Sequence, residues 1–556
     1  MKKLTSLLMV LCAPFLMLSC VDDDIDPNPN PEDGKADYTV IFWGMTGGVD
    51  AMVGYDLCQL AYNFEQGAIG PNVNMVGLIK TSMALEGSKK YSTFDKTYYF
   101  SSDDIKSHNI TEEMTEVTDL DAVKPSDTKK QYDAAFKTLH AKEYAGKDYD
   151  LSSVDNLANF IKEAAETHPA HHYVLMLLGH GGGFSPIDDK PSSRSCVIDS
   201  YNNEASLSAD AIAHAVEKSG VKIQTLFTQC CLMSTLENMA AYSKCFDYAF
   251  LSAETTMSFY FPQYLVELSQ AGDNEAEMVK HSQALMDYYV KRINTISYGD
   301  YTSHGFYDLR KMPQLMAEVK KASAWFDKNY EVFENQIKDG LSNSIFCTNV
   351  TEEDTMLRRC RAYIQGLDDD VEDELEIDQF IEMMAQLTHE GVTYGFPFAH
   401  VMAMTLKAGA GIPEFAELQK IYENYMSILK SMAYIRTTMK PADAEADYEF
   451  LYASPTILVF SLDKACYKPL PEIKENDVKA LAEAFENDDD EEIAILIDKY
   501  FGGTQFANLG SYELALSNYT SSDFDKEVQW SKFLKKLDYN PSFLLNPDRM
   551  EVSVKK

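Results

Sequence analysis

A histidine and a cysteine about fifty residues apart are the two side chains here best suited to act on each other. His180 lies in "YVLMLLGHGGGF" (173–184) and Cys231 in "TLFTQCCLMSTLENM" (225–239). Each follows an apolar run. An imidazole takes up and releases a proton near neutral pH. A thiol that has given up its proton is a strong nucleophile. Gly181, Gly182 and Gly183 permit close backbone approach to a ligand, and N–H groups in such a loop can face a developing oxyanion. Cys231 is read as ending a strand and starting a helix, where the aligned peptide dipoles would favour the thiolate. Adjacent strand residues point to opposite sides, so only one of Cys230 and Cys231 can face His180. The other is a small buried residue, as cysteine often is.

The surrounding pattern must place these two residues at one edge. "YTVIFWGM" (38–45), "VNMVGLIK" (73–80), "HYVLMLLG" (172–179), "KIQTLFT" (222–228) and "YAFLSAE" (248–254) read as strands. Between them, 50–66, 154–169, 208–220 and 232–244 read as helices. "TYYFSS" (97–102) reads as a hairpin or edge strand. Strands alternating with helices imply a mostly parallel sheet covered on both faces. Such sheets place ligands outside the carboxyl ends of their strands, which is where both opening stretches end. Beyond residue 276, long helical patterns take over at 276–294, 311–338, 414–435 and 475–486. Strand-like runs return at 304–309, 392–398 and 455–462.

Composition narrows the function. With 556 residues and 45% hydrophobic content the chain is long enough for a large core. A net charge of -38 opposes nucleic acid phosphates and anionic lipid. Lys2 and Lys3 followed by "LTSLLMVLCAPFLML" form a signal peptide ending at "MLSC". Cys20 is the expected lipidated residue, and simple secretion is the alternative. The acidic, Pro-rich stretch after it reads as a solvated tether. The expected divisions are a signal peptide at 1–20, a tether at 21–37, a principal domain at 38–310 and a C-terminal region at 311–556 that partly completes the sheet. The expected location is the cell envelope, at the outer membrane or surface of a Gram-negative bacterium, with the lipid as the sole membrane contact. No CxxC pair occurs, and the remaining cysteines are too sparse for a disulfide scaffold. Acidic runs at 368–378 and 487–492 read as solvated faces. Calcium is their alternative occupant, although neither run has the Asp-x-Asp-x-Asp-Gly loop spacing. No metal site and no cofactor are otherwise expected.

Histidine first and cysteine second, each at a strand end, is the order of the caspase-like peptidases, whose signature places histidine about fifty residues before a Gln-Ala-Cys. The motifs "LLGHGGGF" and "QCCLMSTLE" resemble more closely the clostripain family of bacterial cysteine peptidases. The resemblance covers roughly 150–256 and 38–82 more loosely. It implies a caspase-like α/β fold, a mostly parallel sheet flanked by helices, with a mainly helical α+β region after it. It implies a cysteine endopeptidase acting on protein or peptide substrates. Cys231 would be the nucleophile and His180 the base, with the N–H groups of Gly181 and Cys231 as the oxyanion hole. Gln229 and Glu254 would line the substrate pocket. Gln229 stands where the family has aspartate, which weakens an expected preference for Arg or Lys. Lys190 and Arg194 mark a possible activation cleavage in the loop 185–206. A non-catalytic surface lipoprotein binding protein or glycan is the competing expectation, and amide transfer or ligation by the same pair is a third.

Overall fold

Runs of β-branched, aromatic and leucine residues become the strands of one sheet, because their alternating side chains find an apolar layer on each side. The computed structural model describes residues 34–46, 51–84, 91–105, 125–146, 148–184, 196–199, 205–254, 256, 261–296, 302–344, 395–438, 446–462, 474–487 and 516–537, with a few isolated positions between them. Ala36–Lys556 forms one compact unit. Met1–Lys35, which includes Cys20, lies almost wholly outside the described residues.

Among the described residues the main sheet has nine strands. They are β1 (Ala36–Thr46), β2 (Val73–Ala84), β3 (Tyr91–Ser101), β4 (Lys142–Gly146), β5 (Ala170–Leu178), β8 (Thr225–Gln229), β9 (Tyr248–Leu251), β10 (Ser303–Asp308) and β12 (Ala433–Thr437). Two small pairs stand apart from it: β6 (Cys196–Asp199) with β7 (Ala205–Leu207), and β11 (Phe396–Pro397) with β13 (Thr456–Ile457). The spatial order is β12-β10-β9-β8-β5-β1-β2-β3-β4. The centre, β9-β8-β5-β1-β2, is parallel, and antiparallel strands complete both sides.

The two faces separate cleanly along β5. Leu175 and Leu177 enter one core, while Val174, Met176 and Leu178 enter the other. The first core is closed by α3 (Val154–Thr167), α4 (Ala209–Ser219), α5 (Leu236–Tyr242) and α8 (Met312–Asn329). The second is closed by α1 (Ala51–Glu65), α2 (Pro125–Thr138), α6 (Phe261–Ala271) and α7 (Glu275–Ile296). Helix α3 shows why these segments are helical. Ser153 caps its N-terminus, and Leu157, Phe160, Ile161 and Ala164 recur at helical spacing on the buried face. Each such fully buried large side chain contributes roughly 1.5–3 kcal/mol.

The mostly parallel sheet, its flanking helices and the helical C-terminal region are as the sequence implies. Several boundaries differ. Residues 97–101 belong to β3, which forms the expected hairpin with β2 and is covered by β4, so it is not the edge. The pattern over 311–338 divides into α8 and α9 (Glu334–Ser342) around Tyr330–Phe333. The helix expected over 414–435 ends at Met432, and the chain turns directly into β12, which joins the sheet beside β10. The runs at 392–398 and 455–462 supply only the short pair β11 and β13, since a helix begins at Phe398 and residues 458–462 are buried without strand pairing. The acidic run 368–378 and both Lys190 and Arg194 lie outside the described residues.

Candidate active site

Strands β5 and β8 are neighbours in register, with Leu178 opposite Gln229. His180 and Cys231 each lie two residues beyond that pair. Parallel neighbours run about 4.8 Å apart, so the register carries both residues to adjacent places at the carboxyl edge of the sheet. The two loops then touch. A Cβ built on Gly181 would lie 2.6 Å from the Cys231 nitrogen, 2.3 Å from its oxygen and 2.8 Å from the Cys230 carbonyl carbon. All three are backbone atoms with no freedom to yield, so only glycine fits between the histidine and its loop. Gly179, with φ of +153°, makes the bend that brings Gly181 there. On its other side Gly181 bridges Cys196 of β6.

The two adjacent cysteines divide as alternation requires. Cys230 is fully buried in the first core, its sulfur 3.9 Å from the Leu177 carbonyl. Cys231 is half-buried at the edge. The Thr256 N–H donates to its sulfur at 3.4 Å, and the thiol lies 3.9 Å from the Thr256 carbonyl. Thr256 in turn shares a hydrogen bond with the Tyr289 hydroxyl (3.1 Å), and Tyr289 shares one with Thr302 (2.6 Å).

Cys231 does not stand at a helix N-terminus. Helix α5 begins at Leu236, capped by the Thr235 side chain. Residues 230–234 form a loop in which Leu232 adopts φ of +64°, a left-handed conformation that costs a non-glycine residue roughly 1–2 kcal/mol. The conformation persists because the loop is tied down. The Leu232 N–H donates to the Glu254 carbonyl (3.0 Å), and the Ser234 N–H to the Ser252 carbonyl (2.8 Å). From the C-terminal region, the Thr456 N–H donates to the Ser234 carbonyl (2.9 Å). Thiolate stabilisation by the helix dipole therefore falls away, and the Thr256 N–H is the donor that the sulfur receives.

A second histidine reaches this edge and discriminates between bases. His304 lies on β10, which runs antiparallel to β9, so its amino end is beside the carboxyl end of β9. It is fully buried against the Tyr289 ring, with centroids 5.9 Å apart, and burial pushes its pKa down to about 3. An imidazole whose basicity burial has lowered that far is a poor proton acceptor for a thiol. His180 is exposed and accessible.

Gln229, the last residue of β8, and Glu254, three residues beyond β9, are both buried at this edge. Among the described residues no three His, Cys, Asp or Glu side chains are grouped to hold a metal ion, and no helix is long and apolar enough to cross a membrane. Thr256 and Tyr289 are neighbours of the Cys231 sulfur that spacing alone does not reveal, because they come from later segments. The helix start at Thr235 does carry a signal, since "STLEN" offers a hydroxyl cap followed by an early acidic residue.

The model of the clostripain family matches residues 92–443, more than half of the chain. The fold is similar to that of an inactive zymogen C11 protease from Parabacteroides distasonis, at 15% identity over 89% of this chain and 98% of that one, with a TM-score of 0.45. A secreted C11 cysteine protease from Bacteroides thetaiotaomicron, in complex with an irreversible peptide inhibitor, is similar at 11% identity over 76% and 93% of the two chains, with a TM-score of 0.40. No curated protein matches.

Proposed function

This chain belongs to the clostripain family of cysteine peptidases, and we propose that it cleaves peptide bonds through Cys231 and His180. The observation that supports this most directly is the shared register of β5 and β8, which ends both residues at one edge with Gly181 pressed against Cys231. His180 takes the thiol proton, and the sulfur attacks the scissile carbonyl. The resulting oxyanion accepts hydrogen bonds from the N–H groups of Gly181 and Cys231. His180 returns the proton to the leaving amine, and a thioester remains. Water, deprotonated by the same imidazole, hydrolyses the thioester and frees the sulfur.

Gln229 and Glu254 are proposed to line the pocket for the substrate side chain preceding the cut. A neutral amide at 229 supplies no carboxylate for a buried cation, which argues against strong Arg or Lys preference. The sequence at Cys20 supports a lipid-anchored enzyme at the outer face of the cell envelope. The principal test uses protein lacking residues 1–20, a small haloacetamide at neutral pH, and mapping of the adduct. Fast labelling confined to Cys231, slowed in H180A, is expected. Equal, slow labelling of several cysteines in both proteins would overturn the dyad.

A further inference from the structure

The loops that hold His180 and Cys231 share one buttress far away in sequence. Tyr519 is fully buried. Its hydroxyl donates to Glu237 Oε1 at 3.0 Å, on the first turn of α5 and six residues beyond Cys231. Its ring packs edge-on against Phe184, with centroids 5.9 Å apart. Phe184 closes the "HGGGF" loop. Phe460 and Phe524 pack on the same tyrosine ring at 5.5 and 6.4 Å.

Glu237 is itself held by the C-terminal region. Its Oε1 also accepts the Leu458 N–H at 3.2 Å, and the Leu458 carbonyl accepts from the Trp530 indole at 2.8 Å. The same segment donates from Thr456 into the Cys231 loop at Ser234. One side therefore runs from Tyr519 through Glu237 to the nucleophile loop, and the other runs from Tyr519 through Phe184 to the histidine loop.

We propose that Tyr519 is a positioning residue of the catalytic centre: hydroxyl to Glu237 and ring to Phe184, it sets the imidazole against the sulfur. This rests on the reading of His180 and Cys231 as the dyad. The geometry matters because proton transfer and attack tolerate little misplacement; a shift of about 1 Å can cost about 100-fold in rate. A residue that only filled space would leave the rate and its pH profile alone once the protein was folded.

The test measures peptide hydrolysis and the pH profile of Cys231 alkylation, with all variants assayed well below their unfolding temperatures. Y519F keeps the ring on Phe184 and removes the bond to Glu237; it is expected to lower kcat about 10-fold with KM little changed, and to move the midpoint of the alkylation profile. Y519L removes both contacts and should lower kcat further. E237Q retains an acceptor for both Tyr519 and Leu458, so it should keep near-normal kcat, whereas E237A should behave like Y519F. Should Y519F and E237A reduce only thermal stability, leaving kcat and the alkylation profile in place, the positioning role is overturned and Tyr519 is packing alone. The dyad reading fails separately, by persistence of hydrolysis in C231A.

Discussion

The loop after β8 and the loop after β5 meet at the same edge but are held in different ways. The Cys231 loop is bonded along its backbone to Ser252, Glu254 and Thr456, and its sulfur receives the Thr256 N–H. Among the described residues the His180 loop has one backbone bridge, from Gly181 to Cys196, and otherwise rests on close packing: Gly181 against Cys231 and Phe184 on Tyr519. The cysteine is thus fixed by several directional bonds that order a strained turn, and the histidine is set largely by how closely a glycine can approach. Hydrogen bonds lock a position at the cost of needing partners from several segments. Close packing needs only the absence of a side chain, and a single methyl group can undo it.

The sharpest way to break this comparison separates the adjacent cysteines. C231A should abolish hydrolysis, a loss of at least about 1,000-fold, while C230A should keep kcat within a few-fold and lower unfolding free energy by about 1 kcal/mol. Peptide cleavage and urea unfolding measure the two. The histidines divide similarly. H180A is expected to lose about 100- to 10,000-fold in kcat, and H304L should stay near normal, because burial leaves His304 too weak a base to serve the thiol. Equal losses in the two histidine variants would show that the exposed imidazole is not the base.

G181A tests the fit directly. Its methyl group meets three backbone atoms, so the loops must separate, and about a 100-fold fall in kcat is expected with the thiol still open to alkylation. Retained activity would mean the loops are not set by that contact. The smallest effect concerns α5. Burial raises the Glu237 carboxyl to about 7 from an ordinary 4.5. The folded state therefore keeps a proton that the unfolded chain releases between those values. Stability from this group is full below about 4.5 and falls as pH rises toward 7, by roughly 1.4 kcal/mol per pH unit. Urea unfolding of E237Q from pH 5 to 8 should show this slope removed, with variant and parent converging at the acid end.

The peptidase edge was legible because apolar runs and glycine breaks are local signals. Strand endings near 178 and 229 and the alternation of Cys230 with Cys231 follow from period two alone. The start of α5 was misplaced because Leu232 and Met233 resemble the apolar face of a helix. In the structure both are buried in the loop, and the hydroxyl of Thr235 makes the true cap. Strand β12 was hidden for a related reason: Ala433 and Tyr434 continue the helical run before them, and only pairing with β10 makes them extended. Thr256, Tyr289, Tyr519 and Thr456 could not be read as neighbours of these two loops at all. Their proximity is tertiary and leaves no periodic trace.

The bond from Thr456 to Ser234 has a bearing on when this enzyme becomes dangerous to its maker. During synthesis the histidine and cysteine emerge more than two hundred residues before Thr456, which bonds the turn that begins at the cysteine. A nascent or truncated chain would hold both side chains yet lack this strap, so the edge reaches its full setting only after the C-terminal region has folded against it.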